Sequence, residues 1–375
     1  MSIESDADED LYLEPEGEGL SSFERKYKAQ MRQIITQKID LPISTLPAML
    51  ADQIKINPEF QRRDRWDEAR QSRLIESLLM NVPIPPVFLG EDDYGFYVVL
   101  DGRQRLTAIQ NFLNNTLELS GLEVWSDLNG ARFGDLVKRG LDKHLTRRFI
   151  SAIALLKESS SVIKYDVFDR LNTGGVKANE MEVRNAIFRG KFTDSLHALS
   201  RYPAFCEVWN IPIDLIEAQT NPLYQKMTDL SIVLRFFALS EPRRIDAEFK
   251  DFLGEYMDSR NKAYEAEPSL EAEDRGKFEK AVLNSLKVFG PNGLRNPLKK
   301  ARGSQSLPIS EAIMIALADY DPQQITDDTA RAIRERFSIL CSDAAFEKAT
   351  SVGTNGKGAI IARVEMAKAA FREVI

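Results

Sequence analysis

The chain is predicted to fold as an α+β domain followed by an all-helical domain. Up to about residue 160, apolar residues alternate between helical spacing and short β-rich runs broken by Pro, Gly and Asp; beyond it almost every window has helical periodicity. No internal repeat crosses this division. The 375 residues are therefore expected to comprise an acidic disordered tail over 1–20, an α+β domain over 21–160 and a helical domain over 161–375.

The elements follow in order. "SSFERKYKAQMRQIITQKI" is mixed in charge and expected to be partly helical, and Pro42 and Pro47 punctuate a short helix before an extended "QIKI". Leu74, Ile75, Leu78 and Leu79 recur at helical spacing between Asp67 and Met80, with acids in the first turn, which predicts an amphipathic helix. Pro83, Pro85 and Pro86 end it. Val87–Leu89 and Phe96–Leu100 read as strands. Leu106, Ile109 and Leu113 start a new helix at Arg103, so "LDGRQRLTAI" is a strand–glycine–helix corner. Residues 147–156 read as a strand, 160–172 as a helix stopped by Asn172-Thr-Gly-Gly175, and 178–190 as a helix capped by Asn179 with Glu182 as its third-position acid. Six further windows, from "PLYQKMTDLSIVLRFFALS" to "RVEMAKAAFREVI", are helical.

Composition bounds the chemistry. At 43% hydrophobic and 29% charged residues the chain can bury a full core. No apolar run approaches the ~18 residues of a membrane span, and nothing resembles a signal peptide, so no membrane partner and a cytoplasmic location are expected. Cys206 and Cys341 have neither disulfide nor zinc spacing. His144 and His197 lie apart from other ligands or nucleophiles, which excludes histidine-metal and Ser-His-Asp chemistry; both read as surface or half-buried residues. The net charge of −7 belongs mostly to residues 1–18, which hold eight acids and no base; setting these aside leaves 49 acids against 50 bases. Such a tail solvates, with competition for a basic groove as a side hypothesis.

Three corners concentrate arginine. At 101–105, the bare amides and dipole of a helix N-terminus sit beside Arg103 and Arg105, an arrangement suited to phosphate. Asp101 has three available roles: ordering an Arg, holding a metal through water, or capping the helix. "FQRRDRW" carries Arg62, Arg63 and Arg65, and "FDRLNTGG" with "EVRNA" carries Arg170, Asn172, Arg184 and Asn185 around a Gly turn whose amides are open. Each corner taken singly also reads as solvated charge. Lys299, Lys300 and Arg302 in "NPLKKARGS" are a candidate DNA-backbone contact. "GTNGKG" lacks the spacing of a phosphate loop and reads as a flexible connector. Trp66, Trp125 and Trp209 read as core or interface anchors.

Together, "FQRRDRW…SRLIESLLMNVPIPPVFL…VVLDGRQRLTAI…FDRLNTGG…EVRNAIFRG" resembles, over about Ile54–Gly190, the domain at the N-terminus of GmrSD-type modification-dependent restriction enzymes and SspE-type phage-defence proteins. That domain is a distant relative of the ParB and sulfiredoxin fold. Its motif is usually Asp-Gly-Gln-Gln-Arg, and here Arg103 replaces the first Gln. The resemblance implies a ParB-like module that binds and slowly hydrolyses a nucleoside triphosphate with Mg²⁺ through Asp101, Gly102, Arg103, Gln104 and Arg105, with Arg62, Asn172 and Arg184 in support. It further implies action on DNA or through a separate nuclease or effector partner, because the family's C-terminal histidine-dependent nuclease domain has no counterpart here. An oligomer is also possible within this reading. The alternative is a non-enzymatic DNA-binding or scaffold protein on the same fold; a kinase- or sulfiredoxin-like transferase is disfavoured, since no Cys occupies the corner.

Overall fold

The computed structural model describes residues 35–56, 66–93, 95–159, 164–165, 167, 179–241, 245, 248–298 and 305–374. Arg62, Arg170, Asn172, Lys299, Lys300 and Arg302, and most of the expected helix over 160–172, lie outside the described residues.

The N-terminal region is a five-stranded mixed sheet in the order β1-β5-β3-β4-β2. Strand β1 is Thr36–Pro42, α1 Leu46–Asp52, β2 Ile54–Lys55, α2 Glu68–Leu79, β3 Val87–Asp93, β4 Phe96–Asp101 and α3 Arg103–Leu113; the short helices α4, Phe133–Lys138, and α5, Asp142–Thr146, precede β5, Phe149–Leu155. Strands β1/β5 and β3/β4 pair antiparallel, β3/β5 and β2/β4 parallel. Leu74, Ile75, Leu78 and Leu79 of α2 and Leu106, Ile109 and Phe112 of α3 join Val87, Leu89, Ile150 and Ala152 of the sheet in one buried apolar cluster. Burying the apolar face of each helix on the sheet is what fixes the position of the β4–α3 corner.

Of the stretch expected to be partly helical, residues 21–34 lie outside the described residues, and its end forms strand β1. Its residues Thr36, Ile39 and Leu41 are good strand formers, and pairing from Thr36↔Leu155 to Pro42↔Phe149 completes the sheet edge.

The remainder is helical: α6 Glu180–Ile187, α7 Lys191–Ser200, α8 Pro203–Trp209, α9 Leu215–Ala218, α10 Pro222–Gln225, α11 Thr228–Leu239, α12 Phe249–Ala266, α13 Ser269–Phe289, α14 Leu307–Leu317, α15 Asp327–Ser342, α16 Ala344–Ser351 and α17 Lys357–Arg372. A second apolar cluster runs through them, with Phe192, Phe236, Phe237 and Phe278 among its buried aromatics. Leu100 of β4 packs against that cluster and α6 lies on β4, so the strand leading to Asp101 touches both cores. No described helix is long and apolar enough to cross a membrane.

The expected cap of α6 is present. Asn179 Oδ1 accepts from Met181 N at 3.0 Å and Glu182 N at 2.9 Å, while Glu182 Oε2 accepts from Asn179 N at 3.0 Å. Helix α7 starts at Gly190 without a cap of its own; Asn261 of α12 supplies one from a distance, accepting from Phe192 N and Thr193 N at 3.0 and 3.2 Å. A side chain at Gly190 would strike Asn261. Trp209 is buried, and Trp66 and Trp125 pack partly buried against the sheet cluster. His144 is exposed on α5; His197 is half-buried, its Nε2 3.0 Å from Asn185 Oδ1.

"GTNGKG" is tied down. Fully buried Arg363 of α17 donates to Thr354 O and, at 2.6 Å, to Glu311 Oε2, while Glu311 also accepts from Arg235, whose Nη2 reaches Asn355 Oδ1 at 3.2 Å. The loop is thus anchored on a buried Arg235–Glu311–Arg363 triad rather than serving as a loose connector.

Candidate functional site: the β4–α3 corner

Strand β4 turns directly into α3 because Gly102 adopts φ 90°, ψ 9°. This is left-handed space that side-chain-bearing residues avoid, and a Cβ at Gly102 would also collide with the Val87 side chain. The close approach to β3 sets the corner tightly. Leu106 N donates to Gly102 O at 3.0 Å to close the first turn, and the N-cap residue is Gly102, which has no side chain to cap it. Of the three roles open to Asp101, capping is therefore not the one adopted.

Asp101 instead orders Arg105. Arg105 Nη2 donates to Asp101 Oδ2 at 2.8 Å, and Nη1 donates to Pro86 O at 3.1 Å and to Pro85 O. The Arg105 side chain is only 12% exposed, whereas Asp101 keeps 43% of its side chain exposed. Arg105 thus closes the space between α3, the end of β4 and the Pro-rich approach to β3. Arg103 is half-buried on the same turn.

Gln104 points toward the end of "FQRRDRW". Its Oε1 accepts from Trp66 N at 3.2 Å, and Trp66 O accepts from Gln71 Nε2 at 2.9 Å, so both backbone groups of Trp66 are held. Asn111, two turns along α3 from Gln104, donates to Gln71 Oε1 at 3.1 Å. Arg70 lies over the Trp66 ring at 4.8 Å. Arg70 and Gln71 were legible only as polar positions of an amphipathic helix; their role beside the corner depends on how α2 and α3 pack.

Arg184 faces elsewhere. It is 2% exposed, donates to Lys250 O at 3.0 Å and Glu180 Oε2 at 3.2 Å, and lies over the Tyr165 ring at 5.3 Å. Helix α6 therefore carries it beside β4 but turned into the helical core. Among the described residues, the structure brings together Asp101, Gly102, Arg103, Gln104 and Arg105, with the end of the "FQRRDRW" segment at Trp66, and sets Arg184 apart.

A mixed sheet with a strand–glycine–helix corner bearing Asp-Gly-Arg-Gln-Arg, covered by a capped helix, defines a compact class of α+β domain. Residues 46–189 match the family model described as GmrSD restriction endonuclease, N-terminal domain. This part of the chain, which holds the corner and α6, is thus similar to a GmrSD-type N-terminal domain. No curated protein and no solved structure matches the chain.

Proposed function

We propose that the protein is a nucleoside-triphosphate-binding regulatory module of a restriction or phage-defence type system, which hydrolyses its nucleotide slowly and so controls engagement with DNA or a partner effector. The observation that carries this reading is the first turn of α3 directly behind Gly102, with Arg103 on it, Arg105 braced beside it and Asp101 half-exposed at its edge. Backbone amides and the helix dipole favour an anion there, and guanidinium groups favour phosphate over a lone carboxylate.

The residues present fit such a ligand. The first-turn amides and Arg103 would hold phosphate oxygens, and Asp101, one of whose oxygens is taken by Arg105, would hold a Mg²⁺ ion through water with the other. The metal, when bound, would neutralise charge on the phosphates as they separate. Gln104, anchored on Trp66, ties the corner to the segment holding Arg62, which with Asn172 would complete the cleft. Arg184 supports α6 from within. Lys299, Lys300 and Arg302 would contact DNA backbone. DNA cleavage by histidine chemistry would come from a partner, since exposed His144 and Asn185-bonded His197 sit on separate helices.

A second reading, a DNA-binding scaffold, is favoured by the Asp101–Arg105 ion pair, which already satisfies part of the corner. It predicts DNA binding that falls steeply with salt and ignores nucleotide. Calorimetric titration with a nucleotide panel and Mg²⁺, together with phosphate release measured with and without modified and unmodified DNA, separates the two. The first reading requires nucleotide affinity that Asp101→Asn and Arg103→Met weaken; equal affinity in all three proteins rejects the site.

A further inference from the structure

A second polar site lies in the helical region, away from the corner. Helices α11, α12 and α13 enclose a cavity of about 210 Å³ whose wall includes Ser240, Ser259, Arg260, Asp274 and Lys277. Arg260 is fixed in place: its Nε and Nη2 grip Asp274 Oδ2 and Oδ1 at 2.9 and 2.6 Å, and Tyr264 donates to Asp274 Oδ2 at 2.8 Å. Burial, and next Asp274, pushes the Tyr264 hydroxyl well above its ordinary range, so it remains a donor. Both Asp274 oxygens are thereby consumed, while Arg260 Nη1 has no hydrogen bond among the described residues. Lys277 is half-buried on the same wall and has no carboxylate partner among the described residues. Ser240 and Ser259 donate to Phe236 O and Tyr256 O at 2.7 and 2.9 Å, which leaves their oxygens as acceptors. Glu241, also on the wall, is itself engaged by the protein.

Two cationic donors with spare capacity, two hydroxyl acceptors and the apolar surface of Phe237 and Ala263 therefore converge on one space. Drug-sized ligands occupy pockets of about 300–1,000 Å³, so this one is too small for a whole nucleoside triphosphate. It suits a single phosphate carried on a short hydroxylated body. We propose that this cavity binds a small phosphate monoester of sugar-phosphate size, its phosphate between Arg260 and Lys277 and its hydroxyls on Ser240 and Ser259. The site is independent of the corner and stands whether or not the corner binds nucleotide.

The test is calorimetry on the full chain with ribose 5-phosphate, ribose and inorganic phosphate as probes. Lys277→Met keeps the aliphatic stem and removes the charge; Ala263→Leu fills the cavity; Asp101→Asn is the corner control. Ribose 5-phosphate is expected to bind the wild type and the Asp101→Asn protein alike, at least tenfold more weakly to Lys277→Met, and not to Ala263→Leu. Ribose without phosphate should not bind; inorganic phosphate should bind more weakly than ribose 5-phosphate. Absence of binding to wild type at millimolar concentration overturns the proposal, as does equal binding to all variants or loss in Asp101→Asn alone. Far-ultraviolet circular dichroism confirms that the variants tested are folded.

Discussion

Replacing Arg105 with Met tests whether this side chain is part of the frame as well as of the site. Met keeps the aliphatic packing and removes three hydrogen bonds, to Pro85 O, Pro86 O and Asp101 Oδ2. The two carbonyl bonds are worth about 1 kcal/mol each, and the ion pair about 0.5 kcal/mol because Asp101 is 43% exposed and solvent screens it. The expected loss is about 2.5 kcal/mol, equivalent to a fall in melting temperature of about 5–10 °C for a cooperative unit of roughly 150–250 residues. Urea unfolding followed by tryptophan fluorescence reads it, since Trp66 and Trp125 both pack on the sheet cluster. Asp101→Asn, which retains an acceptor, should lose less than about 1 kcal/mol. An Arg105→Met midpoint equal to wild type would show that the guanidinium is not a brace. The sequence alone assigned Arg105 to ligand; the two carbonyl partners give it a structural role as well.

Gly102→Ala should destabilise by about 3 kcal/mol by chemical denaturation, combining left-handed strain with the collision against Val87; a change below about 1 kcal/mol would contradict the close β3–β4 approach. Glu311→Ala leaves Arg235 and Arg363 buried without their carboxylate and should cost about 3–5 kcal/mol, whereas replacing all three by apolar residues of similar volume should be far milder. Burial pushes the Cys341 thiol up to about 12, and Cys206 upward as well, so neither should react with alkylating reagents at pH 8 until the chain unfolds. The stability linked to Cys341 is present in full below the ordinary thiol value of about 8.5 and is lost as pH rises toward 12, which alkaline unfolding curves will show.

What was legible in the sequence was local. The Asn179–Glu182 cap, α2 and the turn at Gly102 depend on residues within a few positions of one another, and their spacing announces them. Strand β1 was not legible, because its strand character comes from β5, more than a hundred residues later. The same holds for Glu76, which reads as a polar helix position yet is buried and accepts from Val124 N and Trp125 N at 2.9 and 2.8 Å. Arg235, Glu311 and Arg363 lie on three distant helices, and nothing in their flanking sequence marks them as one charge cluster. At the corner, the sequence grouped the right residues but could not assign their partners: Arg105's carbonyls are set by the path of Pro85 and Pro86, and Gln104's by the docking of α2. Arg184 illustrates the limit, since its spacing on α6 is as compatible with a cleft as with the core it occupies.

The central claim is that nucleotide phosphates rest on the first turn of α3. Amide hydrogen exchange of the wild-type protein, with and without a saturating nucleoside triphosphate and Mg²⁺, addresses it directly. Slowed exchange is predicted across residues 102–106, with little change in α14 and α17. Nucleotide binding without protection at 102–106, or no binding by any triphosphate, would contradict the account.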